Sequence, residues 1–334
     1  MDPLTQSLLG GVAAHAACGR RLGRGALLAG MVGGGIADLD LLWTGLGDPA
    51  VPFELHRHFT HALLFIPVGA LAATLVLSLW RRFRSHPWWT YMACLVGYAT
   101  HAPLDLCTSY GTLIYWPFTR SREAIDIIAV IDPLFTGVLL VGVVVALVRR
   151  RPRWSAAALL LGVLYLGLGG LQRERAQEAQ AQLAAVRGHI PARSRVLPTL
   201  GNLLVWRSLY VHQGEVYADG LRLPPSGGAA VRPGGHLPVF RRESLPPRLQ
   251  QDPRMRHVLD VFLTFVDDYA ARLPGQPGVI GDLRYSLAGG LEPIWGVHLG
   301  EDGGGPRWKT YHEHRPRALA NLWLDITDPG RFRR

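Results

Sequence analysis

The chain has 334 residues, three cysteines and a formal charge of +10, with Lys309 as its one lysine and arginine supplying the other cations. That length allows two domains, and three scattered cysteines exclude a disulfide framework or a CxxC zinc knuckle. The arginines flank apolar runs instead of lining one groove, and no nucleic-acid motif is visible, so nucleic acid is excluded as a partner.

The N-terminus lacks a basic region followed by a cleavage site, so its first apolar segment is expected to be retained. Two apolar segments come first, 4–18 and 25–37 running on to Trp43. The second is rich in glycine (Gly30, Gly33, Gly34, Gly35), which suits close helix packing or a broken helix. Four stronger runs follow, at 62–80, 88–106, 131–148 and 154–171, each long enough to span a bilayer. Arg20, Arg21 and Arg24 join the first pair of segments. Arg81, Arg82 and Arg84 join the second pair, and Arg149, Arg150, Arg151 and Arg153 the third. The positive-inside bias makes those three loops cytoplasmic and sends 1–5, 38–61, 101–130 and everything after 171 outward.

The second half has the composition of a soluble domain. A polar helix is expected over 172–187, antiparallel strands over 195–223 with turns at Gly214 and Gly220, and a loop over 224–238. An amphipathic helix is expected over 254–272, then two strands over 278–299 separated by Gly289 and Gly290. The reading is an α-helical polytopic membrane domain of about six segments, 1–171, followed by a small α+β extracytoplasmic domain, 172–334.

The candidate His and Asp ligands of the first half cluster at the ends of its apolar runs, and all of them fall on the predicted outer side. Bilayer interiors reject such groups, so those at membrane depth usually have partners and a task. His101 and Asp105 stand one helical turn apart on one face, and both are favoured ligands for zinc-like ions. The plainer reading is a helix end with a buried histidine; Pro103 between the two and the apolar surroundings argue for function. Asp38 and Asp40 cannot share a helix face, so both reach one centre only if the chain extends after the glycine run. His56, His58 and His61 open the next segment, with Thr60 as a helix cap and Arg57 placed to hold an anionic oxygen. Asp132 precedes Pro133 as a helix start and is carried as a further ligand. Asp126 reads as a ligand or as a histidine's partner, and the membership of His58 is left open. His15 reads as a packed histidine, and His312 and His314 as surface groups.

The motifs MDPLTQSLLGG, the GxxADLD of residues 34–40, HRHFTHALLF, HAPLDLCTSYGT and IDPLF together resemble the YdjM-like family of bacterial inner-membrane metal-dependent hydrolases. The resemblance runs over about 1–140, with Asp282-Leu-Arg-Tyr285 as a further stretch. Many relatives carry His where Gln6 stands here. The order Asp, His, then HxxxD is also similar to zinc-dependent phospholipase C and P1-type nucleases, which implies phosphoester chemistry.

The expected function is therefore an integral hydrolase of the bacterial cytoplasmic membrane, acting at the outer interface on a lipid or lipid-linked phosphate. A divalent ion, zinc first and manganese or magnesium as alternatives, is held by Asp38, Asp40, His56, His61, His101 and Asp105, with Asp132 in addition. Arg57 and Asp40 are the expected catalytic residues. No GxSxG nucleophile elbow is present. Two readings compete: a metal or proton transporter, and a non-catalytic anchor carrying a binding domain and a structural metal. A transporter needs ligands near the midplane, and a structural site is closed by protein ligands.

Overall fold

The computed structural model describes residues 1–43, 50–286, 290–300, 304–310 and 315–333. His312, His314 and Gly289 lie outside them. The chain forms two compact units. The first comprises Met1–Thr44 and Leu55–Gly170, and the second Gly45–Glu54 and Leu171–Arg334.

The first unit is helical. Asp2 caps helix α1 (Pro3–Leu22) by accepting from the Thr5 amide, and Gly23 ends it with φ 55°. Helix α2 (Gly25–Gly35) returns along it and passes into a 3-10 turn, Ile36–Trp43. The short α3 (Val51–Leu55) lies in the stretch that joins the two units. Then come α4 (Ile66–Leu77), α5 (Arg81–Arg84), α6 (Pro87–Ala99), α7 (His101–Leu106), α8 (Pro133–Arg149) and α9 (Pro152–Val186). Glycines let α1, α2 and α6 touch through their backbones. A Cβ on Gly10 would stand 2.4 Å from the Gly30 carbonyl oxygen, and one on Gly97 would stand 2.3 Å from the same atom. Only glycine permits that approach.

Six long spanning helices are not found among the described residues. Among the described residues two helices are long and apolar enough to cross a membrane, Gly25–Leu42 and Pro152–Val186, or three if the bent pair Phe53–His61 and Leu63–Leu77 is one span. The other expected segments fall short for local reasons. Residues 88–106 break at Thr100 into α6 and α7, residues 62–80 enter through 3-10 turns before α4, and α8 has 17 residues. The arginine-rich ends of this unit converge: Arg24 Nη2 donates to the Leu147 carbonyl at 2.7 Å, and Arg82 Nη2 to the Leu22 carbonyl at 3.3 Å.

The apolar run 154–171 and the polar run 172–187 join into one helix, α9, of 35 residues. The second unit then builds two antiparallel four-stranded sheets. The first has the order β1 (Arg193–Pro198), β2 (Val205–His212), β3 (Glu215–Arg222) and β4 (Ala230–Pro238). The second has β5 (Ala270–Leu273), β6 (Gln276–Asp282), β7 (Trp295–His298) and β8 (Arg307–Thr310). Leu209, Val211, Val216 and Ala218 of the first sheet share a core with Tyr269, Ala271 and Leu283.

The expected loop at 224–238 instead ends in edge strand β4. Its Pro233, where the register on β3 shifts, costs little at an edge. Helices α10 (Pro247–Gln251) and α11 (Pro253–Phe265) precede β5, so the amphipathic helix stops before 266. Helix α12 (Arg315–Thr327) closes the unit. Phe53, from the 45–54 stretch, is buried against Phe265, Trp308 and Phe262, with ring centroids 4.6, 4.7 and 5.9 Å away.

Candidate metal centre

The breaks in the helices place the ionisable side chains. After the glycines of α2, the 3-10 turn carries Asp38 and Asp40 inward, and both are buried. Arg57 adopts φ 58°, a left-handed conformation that costs a non-glycine residue about 1–2 kcal/mol. Its amide donates to Asp40 Oδ2 at 3.1 Å, which holds the turn. That turn brings the His56 and His61 rings to 5.7 Å, and His61 lies 4.5 Å from the His101 ring. His101 starts α7, so Asp105 faces the same way one turn later.

Two histidine nitrogens each approach two carboxylate oxygens. His61 Nε2 lies 3.4 Å from Asp38 Oδ1 and 3.3 Å from Asp105 Oδ2. His101 Nε2 lies 3.5 Å from Asp38 Oδ1 and 3.4 Å from Asp105 Oδ2. These separations are long for N–H···O bonds, and His61 Nε2, His101 Nε2 and Asp105 Oδ2 have no hydrogen-bond partner although buried. Buried polar atoms without partners are costly. The spacing has another reading. Donors around a tetrahedral ion with bonds of roughly 2.0–2.2 Å stand about 3.3–3.6 Å apart. His61, His101 and Asp105 have ligand atoms that all lie within 4.8 Å of one another, two imidazole nitrogens and a carboxylate oxygen of the kind that zinc and similar ions favour. The residues therefore fit a divalent cation.

The surrounding groups fix these four. His101 Nδ1 is 2.6 Å from the Gly34 carbonyl, which leaves Nε2 facing the centre. Asp40 lies one step out: His56 Nδ1 is 2.9 Å from its Oδ1, Thr60 Oγ1 donates to Oδ2 at 3.2 Å, and His61 Nδ1 stands 3.4 Å from Oδ2. Asp40 is thus a partner of the histidines here, where the sequence reading made it a ligand and a catalytic group. Asp38, His56 and His61 form a second group whose ligand atoms lie within 4.8 Å of one another.

Arg57 is buried rather than open to a substrate. Its Nη2 is 3.1 Å from Asp105 Oδ1, its Nη1 donates to Thr108 at 2.9 Å, and its guanidinium lies 4.6 Å from the Tyr110 ring centre. Gln6 Nε2 donates to Asp105 Oδ1 at 3.0 Å and to the His101 carbonyl at 3.2 Å. The α-amino group of Met1 also pairs with Asp105.

Asp132 is not in either ligand group. It caps α8 through the Leu134 and Phe135 amides, both at 3.0 Å, and accepts from Tyr165 at 2.8 Å. Asp126 is buried with φ 52° and is likewise outside both groups. His15 Nδ1 lies 2.7 Å from Ser155 Oγ, toward the arginine-rich end of α1. The sequence reading missed the Gly34 carbonyl, Thr108 and Tyr110. The glycine run signalled close backbone approach; nothing in the spacing signalled the other two.

No curated protein and no solved structure matches the chain. The family model described as YdjM inner membrane protein matches residues 1–176, and the chain belongs to that family.

Proposed function

We propose that this protein is a metal-dependent hydrolase of the bacterial cytoplasmic membrane whose substrate is a phosphoester, lipid-borne or lipid-linked. The observation that carries the reading is the set of buried donor atoms at 3.3–3.5 Å, too far apart for good hydrogen bonds and spaced for an ion. His61, His101, Asp38 and Asp105 would hold the ion. When bound, it would supply Lewis acidity, acidifying water and offsetting charge on a phosphoryl oxygen.

The chain's own groups complete the chemistry. Asp40 accepts from His56 Nδ1 and so leaves His56 Nε2 as the basic atom. A histidine oriented this way beside the centre suits proton transfer. Arg57 Nη2, 3.1 Å from Asp105 Oδ1, keeps that carboxylate aimed. Its positive charge also favours an anionic group near the centre.

The membrane arrangement follows from the arginines. The site and the arginine-rich loops occupy opposite ends of α1, which is about 30 Å long, close to the thickness of the hydrocarbon core. The positive-inside bias then puts the site and residues 171–334 on the outer side, with the shorter apolar helices completing a multi-pass bundle. A structural ion is the second reading, since four protein donors can close a tetrahedral site.

The test is metal analysis of the purified protein, followed by a screen of phosphoesters and phospholipids. His56→Gln should keep its metal and lose turnover by about two to four powers of ten. His101→Ala should lose both. Stoichiometric metal with no turnover on any phosphoester would favour the structural ion. Full metal content in His101→Ala would refute the cage.

A further inference from the structure

Helix α12 presents two unlike faces. Its inner face is fixed to the first sheet. Leu322 is buried with Val205 and Phe332, and Asp325 pairs with Arg232 at 2.9 Å and with Arg331 at 3.0 Å. Arg222 also donates to the Ile326 carbonyl at 3.1 Å. The opposite face carries Leu319, Trp323 and Leu324, exposed by 51, 65 and 46 %. Positions i, i+4 and i+5 share one side of a helix. Three of the large apolar side chains that this unit exposes among the described residues therefore lie on one helix face, which argues against scattered surface residues. Leaving them in water forgoes the burial that large apolar side chains ordinarily find.

The geometry points to an anionic bilayer surface as the partner of this face. The first argument is attachment. Helix α9 runs unbroken from an apolar membrane-spanning stretch into the second unit, so that unit is tethered to a bilayer. The second is charge. Residues 315–334 hold five arginines against two aspartates in sequence, and with Arg331 paired to Asp325 four arginines stand against Asp328. A basic segment that carries an apolar helix face is drawn to acidic headgroups. The third is Trp323 itself, because tryptophan is enriched where hydrocarbon meets headgroup. Helix α12 lies in the plane of the membrane surface, with Leu319, Trp323 and Leu324 in the lipid.

The experiment uses the full chain in vesicles of phosphatidylethanolamine and phosphatidylglycerol. A photoreactive benzoylphenylalanine replaces Trp323, and in a second variant Leu319. Glu243, exposed in the 3-10 turn Arg242–Ser244, is the control position. Irradiation should give phospholipid adducts at 323 and 319 at least about tenfold above those at 243, for groups in hydrocarbon rather than water. Equal yields at the three positions would overturn the inference, and so would adducts joining two copies of the protein. The second variant guards against a local packing fault at 323.

Discussion

Replacing Gly34 with alanine tests how the helix packing builds the metal centre. A Cβ there would stand 2.6 Å from the Gln6 carbonyl oxygen and 3.1 Å from the Gly10 Cα, whereas ordinary contact begins at 3.4 Å. Both obstacles are backbone, so neither can rotate away. Helix α2 must then retreat from α1 by roughly 0.8 Å to restore normal separation. The Gly34 carbonyl moves with it, and that carbonyl is the partner of His101 Nδ1 at 2.6 Å. A retreat of that size takes the bond to about 3.4 Å, past the useful range. The packing fault should cost about 1–3 kcal/mol of stability. If His101 holds the proposed ion, loss of the group that orients it should lower metal affinity about 10–100-fold. The assay is chelator competition on detergent-purified protein, with thermal unfolding of the same samples. Gly137→Ala is the control: its Cβ would meet nothing within 4 Å, and alanine in a helix should stabilise by about 0.5–1 kcal/mol. Wild-type affinity in Gly34→Ala would refute the link from glycine packing to His101.

Three further outcomes are expected. Stripping the ion with a chelator should lower the unfolding temperature, and excess zinc should restore it, because a ligand bound only by the folded state stabilises it by mass action; an unchanged melting curve would remove the ion from the folded state. Arg57→Ala should destabilise the protein by up to about 3–5 kcal/mol, since Asp105 loses a buried partner, while Arg57→Gly should recover about 1 kcal/mol by relaxing the left-handed turn; normal stability and metal content with lost turnover would return Arg57 to the substrate-clamp role read from the sequence. Asp282 accepts from the Arg284 amide and Nε at 3.0 Å, from its Nη2 at 3.0 Å, and from Trp295 Nε1 at 3.1 Å. Asp282→Asn should therefore cost about 3–5 kcal/mol in denaturant unfolding, and an unchanged midpoint would show that this buried pair is not holding the sheet.

The grouping of His61, His101, Asp38 and Asp105 was legible because charge is expensive in an apolar setting. His101 and Asp105 share a helix face by spacing alone, and Asp38 and His61 were exposed by their place at the ends of apolar runs. Their division of labour was not legible. Nothing local distinguishes Asp38, which faces the centre, from Asp40, which faces the histidines; the 3-10 turn after α2 decides it. Asp132 could be read as cap or ligand, and the free amides of α8 took it. The count of spans failed for a related reason. Hydropathy measures how apolar a run is, not whether its backbone stays helical, and the runs at 62–80 and 88–106 break beside His61 and at Thr100. In the second half, alternation found β2 and β3, but Pro233, Gly234 and Gly235 hid the edge strand β4.

The domain boundary shows most sharply where proximity in sequence misleads. Residues 45–54 lie between the two aspartates and His56, yet they fold with 171–334. Their hold there is Phe53, 4 % exposed among Phe262, Phe265 and Trp308, reinforced by Glu54 pairing with His257 at 3.2 Å. The chain thus leaves the helical unit after Asp40, is fastened in the β-rich unit, and returns three residues later at His56. Cutting the protein at 171 leaves Phe53 without those three aromatic partners. The described residues 50–54 then lose their anchor, and ordering them again costs about 1–2 kcal/mol for each residue that must be held. That cost falls on whatever still binds both flanks, which is the cluster of Asp38, Asp40, His56 and His61. A chain ending at 171 should therefore bind zinc more weakly than the full chain. Phe53→Ala in the full chain should move affinity in the same direction, with a stability loss of about 3–5 kcal/mol. Chelator competition on both proteins measures it, and equal affinity in the truncated and full chains would show that the helical unit organises the site without this fastening.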